Sequence, residues 1–80
     1  MKEIAFPIRK GDTIPVHEEG NPQSFTVYVT AVYPPAPLLN QPFWQFDWQH
    51  GNKAGKAEVA VAGAKKAKII SSQIVEDIPF

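Results

Sequence analysis

Eight prolines and five glycines are spread through eighty residues, and they leave little room for helices. Proline removes an amide donor and clashes with the preceding turn, while glycine costs conformational entropy inside regular structure. What survives between these breaks is a set of short runs with a two-residue period, so the chain is limited to strands and tight turns. Ser24 to Tyr33 is the strongest run. Phe25, Val27, Val29, Ala31 and Tyr33 share one face, and Thr26, Tyr28, Thr30 and Val32 the other. β-branched and aromatic residues dominate it, as a pleated, half-buried surface prefers. Phe43 to His50 alternates again, with Trp44, Phe46 and Trp48 set against Phe43, Gln45, Asp47 and Gln49.

Weaker runs complete the pattern. Ile4, Phe6 and Ile8 alternate between Lys2 and Arg9, with Pro7 pointing outward, which predicts a half-buried strand at an edge or at a bend. Thr13 to His17 is a short strand between the turns Lys10-Gly11-Asp12 and Glu19-Gly20-Asn21-Pro22. His50 to Gly55 reads as a turn, and Lys56 to Ala62 as a strand with Ala57, Val59 and Val61 inward. Gly63 marks a bulge or bend, and Lys66 to Ile74 is a final strand with helical character competing over 64–68. Pro34-Pro35-Ala36-Pro37 opens a nine-residue loop ending at Pro42, long enough to be a working surface. The expected fold is all-β: a small barrel of five or six strands, oligonucleotide-binding-like or SH3-like, with a long Pro-rich loop. Residues 1–74 form one domain and residues 75–80 an acidic tail.

A chain of this length buries only about 60% of its unfolded surface, and small domains often add a disulfide, a metal or a partner copy. There is no cysteine, and His17 and His50 sit in no ligand-spaced cluster, so neither metal nor cofactor is expected. Oligomerisation remains, and a homodimer is the expectation. No segment has the apolar length of a leader core or of a membrane span, which points to a cytoplasmic protein away from membranes.

Charge balances at eight basic against eight acidic residues, where a duplex-DNA binder is usually frankly basic. Glu76 and Asp77 lie in the last five residues, and without them the body is mildly basic, with Lys53, Lys56, Lys65, Lys66 and Lys68 all in its second half. Catalysis finds no foothold. Ser24, Ser71 and Ser72 lack a base in the pattern, and His17 beside Glu18 and Glu19 suits a solvated turn better than a metal site. Gly51-Asn52-Lys53-Ala54-Gly55-Lys56 has three residues between its glycines where a phosphate-binding loop needs four, and Ala57 stands where a Ser or Thr belongs. A hairpin with exposed lysines accounts for it, and no enzyme is expected.

Binding is a better fit. If Trp44, Phe46 and Trp48 are core, the opposite face presents Phe43, Gln45 and Gln49, with Tyr28 beside them, as a surface on which bases stack. If the tryptophans are instead the stacking surface, the two faces exchange roles. Lys53, Lys56, Lys65, Lys66 and Lys68 would track a nucleic-acid backbone as one basic rim, although lysines also guard exposed sheet edges.

The chain closes on Val75-Glu76-Asp77-Ile78-Pro79-Phe80. These residues resemble the acidic tip of bacterial single-stranded DNA-binding proteins, which ends in aspartates followed by Ile-Pro-Phe. The resemblance implies that Phe80 with its carboxylate, Pro79 and Ile78 anchor in an apolar pocket on replication and repair enzymes. Asp77 and Glu76 would then lie along a basic ridge. It covers six residues and lacks that family's long linker, so the alternative is that Ile78 and Phe80 pack on the body. The function expected is that of a small single-stranded DNA-binding protein of phage or plasmid type. A module or inhibitor that mimics the tip without touching DNA is one alternative, and a small structural or assembly protein is another.

Overall fold

The computed structural model describes residues 3–59 and 63–75. Among the described residues there are five strands: β1 (Thr13–His17), β2 (Ser24–Tyr33), β3 (Trp44–His50), β4 (Lys53–Val59) and β5 (Ala67–Ile74). They follow one another round a closed barrel in sequence order, each antiparallel to the next. The ring is closed by a short parallel contact of β5 with β1, through Val16 opposite Ala67 and His17 opposite Lys68. The fold is therefore the small all-β barrel read from the sequence. Its path is up-and-down and lacks the Greek-key crossover of an oligonucleotide-binding barrel.

Three expectations need correction. Residues 3–9 form no strand, although their period-two burial survives, with Ile4 and Ile8 buried and Phe6 half-buried. Pro7 cannot supply a ladder donor, and the segment is held instead by contacts such as Ile4 N–H to the Ala64 carbonyl at 2.8 Å. The turn after β3 is shorter than read, consisting of Gly51 and Asn52, so Lys53, Ala54 and Gly55 belong to β4. Gly51 takes φ 60°, the left-handed conformation a two-residue hairpin turn requires. Residues 64–66 are not helical, and Val61 lies outside the described residues.

A bulge gives the third correction. The β2–β3 register shifts between Val29, opposite Trp48, and Ala31, opposite Asp47. One extra residue in a strand reverses the alternation beyond it. Val32, read as outward, packs partly buried against the core, while Ala31 and Tyr33 turn out. A second shift, between Lys56 and Ala57, interrupts the β4–β5 ladder.

The core assigns the tryptophan face of β3 inward. Phe46 and Trp48 are the largest fully buried side chains, packed among Val16, Val27, Val29, Ala57 and Val59, and Trp44 leans on the same cluster. Burying each large apolar side chain contributes about 1.5–3 kcal/mol. Phe25 meets Trp48 edge-on at 5.9 Å, and Phe6 tilts against Trp44 at 5.8 Å. The Trp48 Nε1 donor is buried without a partner among the described residues, a cost of about 1–3 kcal/mol set against the burial of the indole. At Gly55 the β4 backbone lies close against β5. A Cβ there would lie 2.0 Å from the Ser71 carbonyl oxygen.

Candidate nucleic-acid interface

With β3 oriented by its buried tryptophans, the outer wall of the barrel is determined by register. Three rows of outward residues cross it: Tyr28, Gln49, Ala54 and Gln73; then Ala31, Asp47, Lys56 and Ser71; then Tyr33, Gln45, Glu58 and Lys68. Phe43 stands just before β3, in step with Gln45. Tyr28, Tyr33 and Phe43 are 50%, 40% and 37% exposed, so three aromatic rings open to solvent along the β2–β3 side. Gln45 and Gln49 lie between them. Tyr33 is the residue that sequence reasoning put on the wrong face. Nothing local marks the bulge, since Val29-Thr30-Ala31 contains no glycine or asparagine.

Tyr33 is held in place. Its hydroxyl donates to Asp47 Oδ2 at 2.9 Å, and the Lys56 ammonium lies 4.8 Å from the ring centroid and 3.9 Å from Asp47 Oδ1. The hydrogen bond to Asp47, helped by the carboxylate charge, pushes the Tyr33 phenol above its ordinary pKa. Asp47 thus lies on the wet face, as alternation indicated, and it partly neutralises Lys56. Beside this trio a groove of about 400 Å³ opens, lined among others by Thr30, Asp47, Lys56, Ser71 and Ser72.

The lysines do not form one rim. Lys53 begins β4, next to the hairpin, and Lys56 lies mid-strand. Lys68 pairs with Glu58 at the far end, roughly 17 Å along β4 from Lys53. Lys65 and Lys66 lie in the bend that precedes it. Lys68 also binds Glu19 at 2.6 Å, which raises the Lys68 pKa and lowers that of Glu19 through their hydrogen bond and opposite charges. The pair is exposed and contributes little to stability. Lys56 is therefore the cation of β4 beside the aromatic strip, whereas Lys53 pairs with His50 and lines a pocket with it and Phe25.

The histidines are otherwise engaged. His50 Nδ1 lies 2.9 Å from the Thr26 carbonyl, with its ring 4.9 Å from Phe25, and His17 Nδ1 lies 3.3 Å from the Glu18 carbonyl. Among the described residues no group of three His, Cys, Asp or Glu side chains could hold a metal.

The Pro-rich loop is a braced structure rather than a slack connector. Ala36 and Gln41 exchange backbone hydrogen bonds, Pro37–Leu39 form a 3₁₀ turn, and the Gln41 amide reaches the Tyr33 and Pro34 carbonyls. Asn40 closes the turn in the left-handed conformation at φ 60°. Its crest is Leu38 and Leu39, both strongly exposed. The tip residues Glu76, Asp77, Ile78, Pro79 and Phe80 lie outside the described residues, the last of which, Val75, donates its N–H to the Asn52 carbonyl at 2.6 Å.

Fold and surface together define a class: a small up-and-down β-barrel with an aromatic, amide-lined strip on its outer wall. Comparison with protein-family models, with curated proteins and with solved structures finds no match. No helix among the described residues is long and apolar enough to cross a membrane.

Proposed function

We propose that the protein binds single-stranded DNA on the outer wall of β2, β3 and β4. The observation that carries this reading is the strip of three exposed rings, Tyr28, Tyr33 and Phe43, interleaved with Gln45 and Gln49 and bordered by Lys56. Tyr28 and Tyr33 are roughly 15 Å apart along β2, so two bases of one strand that are not immediate neighbours can lie on separate rings. Base–aromatic stacking contributes about 1–3 kcal/mol per base and tolerates any sequence. Glutamine amides add hydrogen bonds to base edges. With few unpaired cations nearby, phosphate contacts are few. The resemblance of residues 76–80 to the acidic tip supports a role in recruiting replication or repair enzymes to that DNA, in a protein of phage or plasmid type.

Titrating a fluorescent poly-dT strand tests the reading. Binding at micromolar protein in low salt is expected, with a shallow salt dependence of about two to four phosphate contacts per chain. Tyr33→Ala and Phe43→Ala should each weaken it by about five- to a hundredfold while leaving the chain folded. Absence of binding under these conditions sinks the proposal.

The braced loop favours a second reading. Leu38 and Leu39 form an apolar knob that needs little ordering to enter a pocket on another protein. On that reading the chain is an interaction module, and the same titration shows no DNA bound.

A further inference from the structure

We infer that the protein dimerises by antiparallel pairing of β5 with β5 of a second copy, about a two-fold axis at Ser72. β5 spends one edge on β4, from Lys53 to Glu58. Its other edge meets β1 only at Ala67 and Lys68, because β1 ends at His17 and the chain turns away through Glu19 and Gly20. From Ile69 to Ile74 that edge has no strand neighbour among the described residues, and residues 70–74 are all exposed. Unpaired N–H and C=O groups in such a row are a template for another strand.

Sheet edges are normally guarded by lysine, proline or a bulge. Here the guards stop short. Lys65, Lys66 and Lys68 all precede the open stretch, and the bulge falls at its start, between the Ile69 and Ser71 pairings. Ile69-Ile70-Ser71-Ser72-Gln73-Ile74-Val75 contains no charge, no proline and no glycine. It would be an aggregation hazard if nothing covered it.

The pattern of the edge selects a second copy as the occupant. A two-fold interface requires that residue i meets j while j meets i. Centred on Ser72, the run Ile70-Ser71-Ser72-Gln73-Ile74 does this with matched chemistry. Ser72 faces its own mate on the axis, while Ser71 faces Gln73 and Ile70 faces Ile74, these two pairs each formed twice. Ile74, 63% exposed in the single chain, gains an apolar neighbour. The two sheets join edge to edge with both outer walls on the same side. This inference does not depend on what those walls bind.

Sedimentation equilibrium of the full chain tests it, together with two variants. The wild-type chain is expected at twice the monomer mass. Ile74→Lys places a guard on the edge at an already exposed position, and the mass should fall to that of one chain with the circular dichroism spectrum retained. The chain has no cysteine, so Ser72→Cys introduces a single thiol at the axis. Mild oxidation with diamide should link S72C into a covalent dimer, whereas Gln49→Cys, on β3, should stay unlinked. A monomeric wild type overturns the inference. So does a dimer left intact by I74K, or one whose S72C thiols fail to cross-link.

Discussion

Tyr33 is the residue whose chemistry differs most from what its surroundings in sequence suggest. The neutral phenol donates to Asp47, and ionising it would break that bond and set a phenolate against a carboxylate. Its folded pKa therefore lies above the ordinary 10.0. The sign follows: the contact contributes fully at pH values below the unfolded tyrosine's pKa, and its contribution is lost as pH rises through the higher folded value. Asp47→Ala removes acceptor and charge together, so the Tyr33 phenolate absorbance should appear at lower pH, back toward 10.0. A tyrosine titration curve indifferent to this substitution would show that the pair does not form in solution. Lys56, stacked on Tyr33 and drawn to Asp47, gains freedom in the same variant, so poly-dT binding should hold or tighten rather than weaken.

At the scale of the element, the two register shifts do most to shape the working surface. The bulge in β2 turns Tyr33 outward and Val32 inward, and without it the strip would lose one of its three rings. The approach of β4 to β5 depends on Gly55, whose absent side chain lets the Ser71 carbonyl come within van der Waals contact of the β4 backbone. Gly55→Ala must push the two strands apart or twist them past each other. An overpacking cost of about 1–3 kcal/mol or more is expected, seen as a lower urea midpoint by tryptophan fluorescence. An unchanged midpoint would mean that the two strands cross less closely than 2.0 Å implies. Trp48 pairs with Gly55 across the β3–β4 ladder, so its emission reports on this crossing directly.

For the whole molecule, the thin core and the balanced charge set the terms. Net charge is zero, so recognition rests on stacking and shape more than on long-range attraction. If residues 76–80 act as a docking tip, deleting Phe80 should abolish capture of a tip-binding repair exonuclease. Melting temperature and poly-dT affinity should be unchanged. A sharp fall in melting temperature would assign Phe80 to the packing of the barrel instead, in a domain whose margin is about 5 kcal/mol.

The strands and their inward residues were legible because a two-residue period is a local property. Val27, Val29, Phe46 and Trp48 announce their side of the sheet within a few neighbours, and Gly20, Pro34 and Gly51 announce where β1, β2 and β3 stop. β1, β2 and β3 accordingly stand within a residue of where the pattern put them. The face of Tyr33 was not legible, because a bulge exists only between two strands and β2 carries no mark of it alone. Nor were the charge partners. Lys68 meets Glu19 across a long stretch of chain and Lys56 meets Asp47 across the β3–β4 hairpin, and the fold decides which distances close. The same holds for the open edge of β5, whose residues read simply as a strand. That one side of it has no strand neighbour from Ile69 to Ile74 among the described residues follows from where β1 ends, and only the closed ring shows it.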